Sequence, residues 1–201
     1  MTTPTKRPDR RVARTRQAIQ EAFRTVADEK GFAAMSVQDI AARANVNRGT
    51  FYAHYTDKYA LYDTIVREEF RQLLADDLPP VAQWERETLR RLIRAILVFV
   101  EHRHRNCHLT ETLAPLTERA TRGELAALLT AWLQQRQRQG VHWRAPRDTI
   151  VQVVVGGIFG AATQWSSQET TTISADQKAA DILQVLADGL GGLIPGALSD
   201  G

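Results

Sequence analysis

The stretch of residues 36–58 constrains the fold most, because its capping residues divide it into two short helices with a tight turn between them. Ser36 predicts the start of the first helix, since its hydroxyl accepts a free N–H of the first turn and Asp39 stands at the capping-box position. Asn45 tolerates the left-handed backbone that ends a helix, and Asn47 is a suitable cap for the second helix. The pattern predicts a helix-turn-helix, whose second helix enters the major groove of DNA.

The second predicted helix runs from Arg48 to about His54, and its outward face suits DNA. Phe51 is predicted to face inward, while the outward positions carry a guanidinium, a phenol, an imidazole and a hydroxyl but no carboxylate. Donors of this kind meet phosphate oxygens and base edges. By itself the segment is also compatible with an ordinary helical hairpin with a solvated polar face, because such hairpins are common.

Positive charge is concentrated in the same part of the chain. Residues 1–60 hold 11 Lys or Arg and 6 Asp or Glu, whereas residues 61–201 hold 15 and 17, so the two parts carry net charges of +5 and −2. A basic region that coincides with a helix-turn-helix is the footprint expected for phosphate binding. A general surplus of solubilising charge does not predict this coincidence.

Length and composition exclude several classes of protein. With 43% hydrophobic residues among 201, the chain can bury a full core. Its single cysteine excludes an internal disulfide. No apolar run reaches the roughly 18 residues of a membrane span, and no apolar signal core follows the basic N-terminus. We therefore expect a soluble, cytoplasmic protein that does not associate with a membrane.

Three segments are predicted around the helix-turn-helix. Residues 1–8 form a disordered tail, and the basic run that follows either tracks DNA as an arm or stays solvated. A supporting helix from about Asp9 to Lys30 completes a DNA-binding domain of residues 9–56. Residues 57–78 form a connecting helix, capped by Thr56. Only Tyr55 and the cap Thr56 separate this helix from the second helix of the helix-turn-helix, the recognition helix. Any tilt in the connecting helix must therefore move the recognition helix.

A long signature surrounds these positions. It consists of AF at 22–23, GF at 31–32, SVQDIA at 36–41, AxVxRGTFY at 44–52, HY at 54–55 and DKxxLY at 57–62. Residues 10–62 thereby resemble the TetR family of bacterial transcriptional repressors. One departure is Asn45, where that family often has glycine, and asparagine suits the same left-handed turn. The match covers the first third of the chain.

The resemblance implies which residues contact DNA. Phosphate contacts are implied for Ser36, Thr50, Tyr52, His54 and Lys58, and base contacts for Gln38, Arg48 and the exposed edge at Gly49, with Asn47 among the DNA-binding set. Arg48 is the best candidate for reading guanine, since its fork matches O6 and N7. His54 is equally compatible with a structural role inside the domain.

The remainder, residues 79–195, is predicted to be an all-helical domain for effector binding and dimerisation. Helical patterns lie at 84–104, 109–116, 118–139, 147–167 and 176–193, which gives about nine helices in an all-α chain. An effector cavity between these helices is expected to suit a small apolar or aromatic molecule. Its candidate lining residues are Leu92, Ile96, Phe99, Leu113, Leu128, Trp132, Phe159 and Trp165. The same apolar set also describes an ordinary helical core.

The helices near 147–167 and 176–193 are the candidate dimer interface. Gly156, Gly157 and Gly160 remove side chains from one helix face and allow close packing. These small residues also fit a helix that crosses others within one subunit. In the resembling family, the last two helices of each subunit form a four-helix bundle across a two-fold axis. Such a dimer requires a pseudo-palindromic operator.

Other chemistry has weaker support in the sequence. His102, His104, Cys107 and His108 cluster at a predicted helix end, where His104 and His108 have the spacing to share a metal and Cys107 lies near arginines. A solvated helix end explains the same segment. No catalytic or phosphate-loop motif occurs, so neither an enzyme nor a cofactor is predicted.

The sequence therefore predicts a homodimeric repressor that binds an operator in double-stranded DNA and is released by a small effector. An effector-independent DNA-binding protein and a metal or redox sensor are the alternatives.

Overall fold

The computed structural model describes residues 10–79, 84–105, 113–168 and 173–191. These residues form α-helices joined by turns and contain no strand, which confirms the all-α class. The eight helices are α1 (Arg10–Ala34), α2 (Val37–Arg43), α3 (Arg48–His54), α4 (Lys58–Asp77), α5 (Arg86–Arg105), α6 (Ala114–Arg138), α7 (Arg147–Ser166) and α8 (Ala175–Gly191).

The eight helices of the described residues are close to the predicted nine, and α6 begins earlier than its sequence pattern indicates. Pro115 lies in the first turn of α6 and does not interrupt a helix there. Proline is tolerated at that position, since the first N–H groups of a helix have no partner within it. The second half of the short helix predicted over 109–116 is thus the start of α6, and its first half lies outside the described residues.

The chain forms two compact units that divide inside α4, after Ile65. In the first unit, α1 buries Ile19, Phe23 and Val26 and packs against α2, which in turn packs against α3. Helical geometry is interrupted at Gly31, whose φ of 74° is readily adopted only by glycine. Phe32 then turns back into the core, where its ring lies 6.1 Å from that of Phe23. The domain limits inferred from the sequence stay a prediction.

The second unit is built around α5, which packs against both α7 and α8, while α6 packs against α7. Its core is formed almost wholly by aliphatic and aromatic side chains, among them Leu92, Ile96, Leu125, Ile158 and Leu183. Burial of each such side chain contributes about 1.5–3 kcal/mol to folding. No helix within the described residues is long and apolar enough to cross a membrane.

The cap of α4 differs from the expectation. Asp57 accepts the backbone N–H of Ala60 at 2.7 Å, so Asp57 is the capping side chain rather than Thr56. A carboxylate also suits the positive end of the helix dipole better than a hydroxyl does. The helix itself, Lys58–Asp77, agrees with the predicted connecting helix.

Candidate DNA-binding and effector sites

A complete capping box begins the first helix of the helix-turn-helix. The Ser36 hydroxyl accepts the Asp39 N–H at 3.2 Å, and the Asp39 carboxylate accepts the Ser36 N–H at 2.9 Å. A hydrogen bond from Lys30, at 2.7 Å, and the bonds from Ser36 hold the pKa of Asp39 well below its usual range. Asp39 therefore remains an acceptor at neutral pH, and α2 begins where the sequence predicts.

The turn after α2 also agrees with the prediction. Asn45 has a φ of 53°, and the following N–H of Val46 donates to the Ala41 carbonyl at 3.0 Å. The Asn47 side chain then accepts the Thr50 N–H at 2.7 Å, which caps α3. These local hydrogen bonds set the direction in which α3 leaves the turn.

The turn leaves one face of α2 and α3 open to solvent. Gln38, Arg48, Gly49 and Tyr52 are exposed on it, and Tyr52 is 56% exposed although it packs edge-on against buried Phe51. A guanidinium N–H of Arg48 donates to the Gln38 side-chain oxygen, so the two predicted base-reading side chains are joined across the two helices. Arg48 retains further N–H donors for a guanine edge.

The remaining predicted phosphate contacts lie at the margin of this face. Ser36 is exposed, but its hydroxyl serves the capping box. Thr50 and His54 are half-buried, and the Thr50 hydroxyl donates to the Asn47 side chain at 3.0 Å. The Asn47 oxygen is likewise occupied by its capping bonds. These side chains stabilise α2 and α3 as well as bordering the exposed face.

Lys58 is placed differently from the other predicted DNA contacts. Its ammonium donates to the carbonyls of Phe32, Ala33 and Met35 at 2.9, 3.4 and 2.7 Å. It also lies 4.6 Å from the Phe32 ring centroid, a cation–π distance. Lys58 therefore fastens the start of α4 to the end of α1, and a role as phosphate contact would require it to leave these carbonyls.

Replacing Lys58 with methionine should lower the stability of the first unit by about 2 kcal/mol, because hydrogen bonds from a charged group contribute ~1.5–3 kcal/mol. Native-state hydrogen exchange of the α1–α3 amides measures this change. Lys30→Met is the matched control. It removes an exposed ion pair with Asp39, and such a pair contributes less than about 1 kcal/mol. Equal effects of the two substitutions would contradict a stabilising role for the hydrogen bonds of Lys58 to the end of α1.

A cavity of about 410 Å³ opens between α5, α6 and α7. Its wall combines the rings of Phe99 and Phe159 with small and polar side chains, and the volume is typical of a small-molecule site. The other lining residues are Val100, Arg103, His104, Ala114, Thr117, Glu118, Thr121, Thr163 and Ser166.

Two arginines stack on the two rings of this cavity. The Arg103 guanidinium lies 5.3 Å from the Phe99 ring centroid and forms a 2.6 Å ion pair with Glu69 of α4. The Arg122 guanidinium lies 5.2 Å from the Phe159 ring and pairs with Glu118 at 2.7 Å. Each cation is therefore balanced by one carboxylate.

The outer faces of α7 and α8 are exposed in the single chain. On α7, exposed positions recur at helical spacing over 149–164 and include Val153, which is 57% exposed. A Cβ atom at Gly160 would meet no neighbouring atom. On α8, Val185 is 72% exposed. Exposed β-branched side chains beside glycines of this kind mark a surface suited to close helix packing.

The family described as bacterial regulatory proteins, tetR family, matches residues 19–65. The repressor DhaR of Mycobacterium sp. (strain GP1), an HTH-type transcriptional repressor, is 30% identical over 140 residues, covering 63% of this chain and 67% of DhaR. The chain belongs to the TetR family. It is accordingly a transcriptional regulator with a helix-turn-helix.

Two other similar proteins match very different lengths of this chain. The uncharacterised HTH-type transcriptional regulator YxbF of Bacillus subtilis (strain 168) is 39% identical over 70 residues, but this match spans 34% of the present chain and 18% of YxbF. The TetR-family repressor FadR of Thermus thermophilus, solved in complex with lauroyl-CoA, shares 25% identity and a TM-score of 0.51, covering 92% of this chain and 99% of that one. The fold similarity therefore extends through both units.

In this TetR-family regulator, the structure places two of the eight predicted effector residues, Phe99 and Phe159, at the cavity. Five of the others lie in the core of the second unit or pack against it: Leu92, Ile96, Leu128, Trp132 and Trp165. Leu113 is buried but does not line the cavity. Apolar character selects core positions as readily as cavity positions. The missed signal is polar, since Thr117 and Thr121 precede Leu125 at helical spacing on the buried stripe of α6.

The histidine-rich end of α5 is only partly described. His104 is exposed and lines the cavity, and Cys107 and His108 lie outside the described residues. Within the described part of the chain, no group of three or more His, Cys, Asp or Glu side chains is placed to hold a metal ion. The hypothesis of a metal or redox sensor in this segment therefore gains no support from the described geometry.

Proposed function

We propose that this regulator is a homodimeric repressor that binds a pseudo-palindromic operator and is released by a small effector bound among α5, α6 and α7. The exposed face of α2 and α3 carries the DNA-binding part of the proposal. It presents Arg48, Gln38 and Tyr52 on two capped helices, with the Arg48 guanidinium oriented by Gln38. A helix of this kind reads base edges in the major groove, with phosphate contacts at its margins.

Dimerisation through α7 and α8 is supported by the surface of the single chain. The exposed α7 positions Thr149, Val153, Gly157, Gly160 and Gln164 carry no charge. An uncharged stripe with glycines allows two copies of the helix to approach closely, and a two-fold axis makes such a surface self-complementary. Two recognition helices then face two half-sites about one helical turn apart or a multiple of it.

Effector control is supported by contacts between the cavity wall and α4. Two consecutive α4 residues contact it: Glu69 pairs with Arg103, and the Phe70 ring lies 5.3 Å from that of Phe99. Because α4 is continuous from Lys58, a displacement at these residues is transmitted toward the recognition helix. An effector that prefers the displaced state by tenfold shifts the equilibrium by about 1.4 kcal/mol. The lauroyl-CoA complex of FadR supports a ligand with an apolar chain.

The test begins with selection of binding sites from random duplex DNA by the purified protein. The expected product is a pseudo-palindrome. Arg48→Ala should then weaken binding by about 1–3 kcal/mol and relax the preference at one base position in each half-site. Fluorescence anisotropy with single-base operator variants measures both effects.

Arg43→Ala is the matched control, because Arg43 is an exposed arginine of the same motif whose guanidinium pairs with Glu29 at 2.6 Å. Its removal should leave the base preference unchanged. An Arg48→Ala variant with the parent's affinity and base preference would remove Arg48 as a reader. Selection of sequences without any symmetry would contradict binding as a dimer.

A further inference from the structure

We propose that the effector is an anionic amphiphile, whose apolar body lies on Phe99 and Phe159 and whose carboxylate binds Arg103 in competition with Glu69. The inference rests on the proposed effector site and specifies its ligand. Arg103 joins the cavity to α4 by an ion pair, since it lines the cavity and lies 2.6 Å from the Glu69 carboxylate of α4.

The cavity volume indicates a small ligand. At about 410 Å³ the cavity lies in the lower part of the range of small-molecule sites, roughly 300–1,000 Å³. A carboxylic acid with a chain of about ten carbons is a suitable probe of that class. The wall that such a chain would contact is formed by the two phenylalanine rings together with Val100 and Ala114.

The charges around the cavity favour an anion over a cation. The rings of Phe99 and Phe159 each carry a guanidinium at cation–π distance, so those faces are already occupied by positive charge. Glu118, the carboxylate in the wall, is paired with Arg122. Arg103 and His104 lie together in the wall near the end of α5. A cationic ligand would meet the Arg103 guanidinium of the wall, whereas a carboxylate would meet its N–H donors.

Two hydroxyl groups of the wall are already engaged as donors. The Thr121 hydroxyl donates to the Thr117 carbonyl at 2.8 Å, and the Ser166 hydroxyl donates to the Thr163 carbonyl at 3.0 Å. Their hydrogens are thus used within the helices. Arg103 offers a ligand carboxylate a charged donor group, since its five N–H donors exceed what Glu69 accepts.

Binding at Arg103 would act on α4 through like-charge repulsion. A ligand carboxylate on that guanidinium comes close to the Glu69 carboxylate, and two carboxylates sharing one cation repel each other. Other ion pairs of α4 are separate from the cavity wall: Arg67 and Arg71 pair with Glu124 of α6 at 3.1 and 3.0 Å. The ligand thus weakens the Arg103–Glu69 ion pair of α4 while the other ion pairs remain. Its affinity therefore differs between the original and the displaced position of α4, as effector control requires.

The experiment compares three probes with the same ten-carbon chain on the full-length protein: decanoate, 1-decanol and decylammonium. Isothermal titration calorimetry measures their affinities. Decanoate should bind about tenfold or more tightly than either other probe, the factor expected from one charge-assisted hydrogen bond. Arg103→Gln should abolish that preference, and Arg103→Lys should restore part of it.

Glu69→Gln keeps the side-chain shape and removes the competing charge. It should tighten decanoate binding several-fold and leave decanol binding unchanged, because decanol does not compete for Arg103. Glu124→Gln is the matched control on α6 and should change neither. This variant pair keeps the test informative if the Arg103 variants fold poorly.

The outcomes separate the ligand class from the proposed site. Equal binding of the three probes, or a decanoate preference that survives in Arg103→Gln, would overturn the anionic assignment while the cavity remains an apolar site. An unchanged decanoate affinity in Glu69→Gln would overturn the competition. Absence of binding by every probe would overturn the ligand assignment. Binding of decanoate through Arg103 without weaker operator binding would support the ligand assignment and contradict effector-driven release.

Discussion

Glutamate at both Val153 and Val185 should convert the protein from a dimer into a monomer and lower operator affinity by about 100-fold or more, the factor contributed by linking two binding modules. These valines are 57% and 72% exposed on the outer faces of α7 and α8. Both are part of the surface proposed to be buried between two subunits. A carboxylate buried there without a partner carries a large desolvation cost. Because the side chains are exposed in the single chain, its own fold should be retained.

Sedimentation velocity measures the mass, and anisotropy with the selected operator measures the affinity. Val98→Glu is the control, since it makes the same replacement at a 38% exposed valine of α5, which is not one of the two helices proposed to form the interface. It should leave both mass and affinity unchanged. A dimeric double variant would contradict the proposed interface. A monomeric variant with the parent's operator affinity would contradict the requirement for two linked recognition helices.

The helix-turn-helix could be predicted closely because its determinants are local. The Ser36–Asp39 and Asn47–Thr50 caps each join residues three apart, and the left-handed turn depends on Asn45 alone. Side chains that compete with the backbone at helix ends act over this short range. Such determinants can be recognised in the residue order without knowledge of the tertiary structure.

The partners of Lys58 and the cavity depend on contacts that the sequence does not display. The carbonyls that bind the Lys58 ammonium lie 23 to 26 residues away along the chain. The cavity requires three helices to leave a gap at particular turns, and apolar periodicity describes which face is buried but not where packing is incomplete. The sequence pattern therefore does not identify Arg103 and Thr121 as cavity residues, whereas the apolar and aromatic character of Phe99 and Phe159 does predict them.

Replacing Phe51 with alanine should destabilise the first unit by about 3–5 kcal/mol, the cost of removing a phenylalanine ring from a packed core. Phe51 is fully buried at the centre of α3, and its ring lies 5.6 Å from that of Tyr52 and 5.8 Å from that of Tyr55. Single domains have total stabilities of about 5–15 kcal/mol. The loss therefore unfolds a substantial fraction of the recognition helix, and specific operator binding should fall in proportion.

The neighbouring tyrosine separates this effect from loss of a DNA contact. Tyr52→Phe keeps the ring that packs on Phe51 and removes one exposed hydroxyl, so it should preserve stability and lower operator affinity slightly. Hydrogen exchange of the α2–α3 amides reports on the first unit, while the tryptophans, which all follow residue 66, report on the second. We expect Phe51→Ala to lose amide protection with unchanged tryptophan emission. Full protection in this variant would show that α3 does not depend on the Phe51 ring, and that its caps alone hold the recognition helix.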